Sequence, residues 1–170
     1  MKPTSEILQQ IESYHELGET IAAANFLIDR YAMRHPNLKG IELRERAKPE
    51  YILLTAEGEL GNQQIIRIPE NIFDFDLVLI LNLLVHEMIH VEQKGYLDKF
   101  PDRNEREWQA YYEMLFHKVY PQIPEASILH QKFFANKAFD YYKRMGENSD
   151  LQKKYAAQKL EVEEKLAQLG

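Results

Sequence analysis

Along the first third of the chain, apolar residues return every three or four positions, the period that stacks side chains on one face of an α-helix. Ile7, Leu8, Ile11, Tyr14 and Leu17 predict a helix opened by Thr4 or Ser5, either of which carries the side-chain oxygen an N-cap requires. Gly18 breaks or weakens this helix. Ile21, Ala24, Leu27, Ile28 and Tyr31 then resume the pattern up to His35 and Pro36, because the residue before a proline is steered away from helical backbone. Residues 37–50 are charged and irregular, with Gly40 and Pro49 as punctuation. Beyond them the period shortens. Residues 51–55 (YILLT) and 64–68 (QIIRI) are short aliphatic runs joined by residues 57–62, which predicts an antiparallel hairpin with a loop longer than two residues. Residues 41–45 are a candidate third strand. A lone hairpin is marginal in water, so this one must pack on a helix or pair further.

From Leu77 onward the polar face disappears. Leu77–Leu81, Leu83–Val85, Met88, Ile89 and Val91 cover nearly every side of a helix predicted to run from a cap at Asp74 or Asp76 to about Lys94, with Gly95 closing it. A helix apolar all round is a central, buried one. A further helix is predicted from Asp102 or Asn104 to about Tyr120, stopped by Pro121, and another from about Pro124 to Met145, before Gly146. The last runs from Ser149 to Leu169, with Ser149 and Gln152 as a capping box. Its seam of Leu151, Tyr155, Val162, Leu166 and Leu169 is broken by Gln158 and Lys165, which leaves a monomer or a weak homodimer as the expectation.

Composition narrows what such a chain can do. A length of 170 residues, 45% of them hydrophobic, suits one domain with a real core. The net charge of −6 and the lack of any Lys/Arg block argue against a nucleic-acid partner, which would demand clustered cations. The apolar run Leu77–Val85 is too short to span a bilayer, and the opening MKPTSEILQQ has no apolar leader, so a cytoplasmic protein without a membrane partner is expected. The absence of cysteine excludes disulfides, zinc–thiolate sites and thiol nucleophiles; any metal site must be built from His, Asp and Glu.

The central helix contains His86-Glu87-Met88-Ile89-His90, an HExxH. Residues i and i+4 lie one turn apart on the same face, so both imidazoles can reach one ion. Glu87, rotated by about 100°, stands beside that ion rather than on it, where a carboxylate can take a proton from water. Two imidazoles and a third protein ligand suit Zn²⁺ with one position left for water. The competing explanation is a pair of core histidines satisfied by backbone carbonyls, with Glu87 paired to an arginine. Buried polar groups in an apolar helix are expensive, which favours the metal. For the third ligand the next helix offers Glu105, Glu107 and Glu113. Glu107 shares its face with Ala110, which lets a neighbouring helix approach, whereas Glu105 lies about 160° round the wheel and suits a capping box opened by Asp102. Glu107 is the preferred ligand and Glu105 the alternative.

HEMIHVEQ over His86–Gln93, followed by NEREWQAY over residues 104–111, resembles the zincin metallopeptidases, and most of all the gluzincin type with a His-His-Glu site. The Glu107/Ala110 pair matches a common form of the third-ligand helix. The family's frequent Asp after that Ala is Tyr111 here, and the interval from His90 to Glu107 is short. The resemblance covers about residues 50–120, the metal core, and implies a small antiparallel sheet beside the HExxH helix; with the outer helices at 4–35 and 124–169 read from the apolar period, the expected fold is a single zincin-like α+β domain over 1–170, mainly helical. The resemblance also implies Zn²⁺ on His86, His90 and Glu107, Glu87 as general base, and a peptide or protein substrate. Tyr111 is a candidate oxyanion donor, with Tyr112, His117 and His130 as other possibilities. The function expected is a small zinc metallohydrolase of peptidase type; the alternative is a helical interaction protein whose metal site is structural or idle.

Overall fold

The computed structural model describes residues 1–170 as seven α-helices and a three-stranded sheet: α1 (Ser5–Glu16), α2 (Thr20–Arg30), β1 (Leu38–Arg44), β2 (Thr55–Glu57), β3 (Gln64–Pro69), α3 (Leu77–Lys94), α4 (Arg103–Phe116), α5 (Ile128–Arg144), α6 (Asp150–Lys154) and α7 (Ala156–Gln168). The mainly helical α+β architecture is as expected. No helix is long and apolar enough to cross a membrane. Thr4 caps α1 by accepting from the Ile7 N–H, and Gly18, at φ +70°, turns the chain between α1 and α2 in a conformation that other residues resist.

The sheet departs from the expected antiparallel arrangement. Its order is β1-β3-β2; β2 pairs antiparallel with β3, as the hairpin predicts, but β1 pairs parallel with β3 in the register Ile41↔Ile66. Alternation along a strand fixes which side chains face inward and says nothing of strand direction. The direction follows from the connection: the chain leaves β1, runs through residues 45–54 and β2 on the far side, and re-enters beside β1 in the same sense. The second strand is also shifted. Tyr51 makes only an isolated bridge to Lys48, and pairing with β3 begins at Thr55. Leu54 is buried and Ile52 packs against the core, so the run is satisfied by packing rather than by ladder bonds.

Asp76 caps α3, accepting from Leu79 N–H at 2.9 Å, while Asp74 belongs to a preceding 3₁₀ turn. Gly95 closes α3 for a reason other than a left-handed turn. Its φ is −67°, and a Cβ there would meet the Asn37 side chain at 2.9 Å, where Asn37 Nδ2 donates to the Val91 carbonyl. α3 separates two apolar clusters. One face meets α1, α2 and the sheet; Leu79 and Leu83 on another meet a second cluster built around Trp108, Phe134 and Val162 from α4, α5 and α7. That double packing explains a helix apolar nearly all round.

Two helix boundaries move inward from their predicted places, and one predicted helix is divided. α4 stops at Phe116 because His117 turns left-handed at φ +46°. The buried Glu113 carboxylate then accepts from the N–H groups of Lys118, Val119 and Tyr120 and draws the chain off the helix axis. α5 starts only after Ser127, which caps it through His130 N–H. The predicted last helix is two pieces, α6 and α7, meeting at Tyr155.

Candidate metal centre

His86 and His90 project from the same face of α3, and Glu107 reaches them from α4, which runs antiparallel to α3. Ala110 is fully buried and lets α4 come close. His86 Nε2 lies 3.1 Å from His90 Nε2, and Glu107 Oε2 lies 3.3 Å from the first and 3.6 Å from the second. Four ligands placed tetrahedrally at about 2.0–2.1 Å from an ion stand about 3.3 Å from one another. The three donor atoms therefore already have the spacing that one ion demands, and together they form a group able to hold a metal. The donor set, two imidazoles and one carboxylate, is nitrogen and oxygen only.

The electrostatics couple the Glu107 carboxylate to the two imidazoles. Burial pushes the Glu107 carboxyl up, but the two imidazoles beside it outweigh burial and hold it well below the usual carboxylate range. Burial disfavours the charged form of His90, yet Glu107, Glu87 and Gln93 together raise it. Glu87, 8% exposed, behaves differently from Glu107: burial raises its carboxyl, only partly opposed by the neighbouring imidazoles and the Ala56 backbone on β2. It sits beside the group without joining it.

A second layer of side chains holds the first. Gln93 donates through Nε2 to the Arg106 carbonyl at 3.1 Å and to Gln109 Oε1 at 2.8 Å, which turns its own Oε1 toward His90 Nδ1, 2.8 Å away. Nδ1 must then be the donor, and Nε2 presents its lone pair to the centre. Gln109 Nε2 donates in turn to Tyr155 Oη at 2.6 Å, and Tyr155 donates to Glu105 at 2.6 Å. Every bond in this series points away from the centre and ends on a carboxylate that Lys154 also pairs at 2.6 Å. His86 Nδ1 faces the Met114 sulfur at 3.3 Å, a much weaker acceptor.

The structure thus separates the sequence candidates. His86, His90 and Glu107 converge. Glu105 does not reach them: it is buried in the bond to Tyr155 and Lys154, so it neither ligates nor closes the capping box, while Asp102 alone caps α4. Glu113 serves the exit of α4. Of the possible oxyanion donors, Tyr111 and His130 line the cleft over the centre. The Tyr111 ring meets His86 edge-on at 4.6 Å and stacks on Tyr141 at 5.9 Å. Tyr112 donates instead to Glu161, and His117 to Asn82. Gln93 is legible as the residue one turn beyond His90 on its own face, and Met114 as a residue of the Glu107 face; Gln109 carries no signal in the sequence, and Tyr155 reads only as part of the last helix's apolar seam.

A cleft of about 950 Å³ opens onto these side chains, between residues 49–56 on one wall and α4 and α5 on the other. The chain matches no family model, no curated protein and no solved structure.

Proposed function

We propose that this chain is a zinc-dependent metallohydrolase acting on peptide bonds, as its resemblance to gluzincins implies. The observation that carries the reading is the convergence of His86, His90 and Glu107 at the floor of an open cleft, with the buried Glu87 beside them. Only three protein side chains make up the group, which supports an open fourth position rather than a closed structural site.

Zinc on these three donors would supply Lewis acidity, polarising a carbonyl and making water acidic enough to ionise near neutrality. The protein's part falls to its own residues. Glu87 accepts a proton from the attacking water; the water oxygen bonds to the acyl carbon, the C–N bond breaks, and Glu87 returns that proton to the departing amine. Its burial raises its basicity in the direction this role requires. Tyr111 is assigned as a donor to the developing oxyanion; burial raises its pKa, so the hydroxyl keeps its proton. Gln93 holds His90 with Nε2 facing inward.

Metal analysis and peptide hydrolysis test this together. The wild type should carry one zinc per chain, and His86→Ala should lose it. Glu87→Gln should retain zinc while peptide cleavage falls by at least about a hundredfold. A wild type unable to bind zinc, or a Glu87→Gln variant as active as wild type, overturns the reading.

A further inference from the structure

The cleft changes character along its length, and two antiparallel helices agree on the direction. Along α3 it meets Leu79 and Leu83, then His86, Glu87 and His90, then Lys94. Contacts of Met114 with His86 and of the Arg106 carbonyl with Gln93 fix the opposite sense of α4. Met114 therefore lies beside the apolar half of α3, Glu107 at the centre, and Arg106 and Arg103 beside Lys94. On α5, Tyr141 stacks on Tyr111 and the Arg144 carbonyl accepts from Asn104, so Phe133 and Phe134 fall on the apolar half. Lys137 is the exception there; its ammonium lies over the Phe133 ring at 5.7 Å.

None of Lys94, Arg103 and Arg106 at the other end forms a salt bridge, and the carboxylates on α4 are engaged elsewhere. Asp102 is engaged as the cap of α4, Glu105 pairs with Lys154, and Glu107 faces the two histidines. Arg106 is anchored through Nη1 on the carbonyls of Phe100 and Pro101, at 2.7 and 3.0 Å, with Nε and Nη2 left unbonded by the protein. Lys94 is held on the Ala56 carbonyl of β2; burial disfavours its charge and Arg106 opposes it, while the Glu87, Glu107 and Glu57 carboxylates favour it without forming a salt bridge. A chain of net charge −6 thus gathers three cations without a salt bridge at one end of its cleft. Fixed guanidinium donors in this state fit a carboxylate, which can take two parallel bonds from one arginine.

Resting on the hydrolase reading above, we infer that the cleft selects peptides with a carboxylate on the Lys94, Arg103 and Arg106 side of the scissile bond and an apolar side chain on the Leu79, Leu83 and Phe133 side. The carboxylate is either an Asp/Glu side chain or a free C-terminus; the chemistry recognised is the same.

The test is a set of peptides sharing one leucine, with Glu, Ala or Lys at successive positions on either side of it, each made as free acid and as C-terminal amide. Cleavage by the zinc-loaded wild type and binding to the zinc-loaded Glu87→Gln protein are both measured. Glu on one side only should improve kcat/KM over Ala by at least about tenfold, mainly through KM, with Lys worse than Ala. If amides of the Glu peptides keep the advantage, the carboxylate is a side chain; if the advantage needs the free acid, it is the terminus. Arg103→Glu, an exposed position, should reverse the order of Glu and Lys peptides, and Arg106→Gln should bring the Glu-to-Ala ratio to within about twofold. Equal cleavage and binding of Glu, Ala and Lys peptides overturns the inference, as does failure of every acidic peptide to bind. Selective binding of acidic peptides without any cleavage supports the inference and overturns the peptidase reading instead.

Discussion

Gln93 can face His90 in one orientation only, because both its amide hydrogens are taken by Gln109 and the Arg106 carbonyl. A ligand imidazole fixed in tautomer and direction by such a partner binds metal more tightly; removing a partner of this kind typically weakens affinity 10–100-fold. Gln93→Leu should weaken zinc binding by about that factor in competition with a chromophoric chelator, while far-ultraviolet circular dichroism stays unchanged. Gln93→Glu keeps an acceptor toward Nδ1 and should lose less. Zinc affinity in Gln93→Leu equal to wild type would show that the amide does not position the ligand. The same reasoning separates the two glutamates two residues apart on α4. The spacing that turns Glu107 toward α3 turns Glu105 away from it, into a bond with Tyr155 and Lys154.

Among the elements, α4 matters most to the site, since it brings Glu107 to α3, and its exit is held by buried polar groups. His117, at the left-handed end of the helix, donates through Nε2 to Asn82 Oδ1 at 2.8 Å, and Asn82 donates onward to the Val78 and Pro124 carbonyls. Burial lowers the His117 pKa to about 4 from its ordinary 6.5. Between those values the unfolded chain binds the proton and the folded one does not. Stability is therefore full above about pH 6.5 and falls as the pH drops toward 4. The loss assignable to this group is about 2 kcal/mol after allowance for solvent screening. Urea unfolding of wild type and His117→Gln at pH 7, 5.5 and 4.5 should show the gap between them shrinking with acidification. A constant gap would remove His117 as the acid-sensitive group.

On the scale of the whole molecule, the donor triad joins two apolar clusters that otherwise meet along α3. His86 and His90 belong to the helix between the clusters, and Glu107 to a helix whose buried Trp108 and Tyr112 sit in the second one. An ion bound there links both halves in the folded state and has no preformed site in the unfolded one, so it stabilises the fold by mass action. Zinc at a hundred times its Kd should add about 2.7 kcal/mol, raising Tm by roughly 5–10 °C, with chelator reversing the gain. Glu107→Ala, lacking the ligand from α4, should show a much smaller rise. An equal rise in wild type and Glu107→Ala would mean that zinc binds elsewhere.

Local chemistry was sufficient for what lay within a few residues of itself. The central helix, a cap at Asp74 or Asp76, the two histidines one turn apart and the adjacent Glu87 all follow from helical period and capping, which depend on near neighbours alone. The preference for Glu107 rested on wheel geometry, and the antiparallel packing of α4 on α3 turned that preference into a 3.3 Å approach. Strand direction, the shift of β2 to Thr55, the division of the last helix at Tyr155 and the amide series from His90 to Glu105 were beyond such reading. Each depends on groups tens of residues apart, brought together by burial of two clusters rather than by any local period. Sequence alone thus determined the candidate ligand types and their spacing on one helix; only the tertiary structure decided which carboxylate converges with them and which side chains hold them in place.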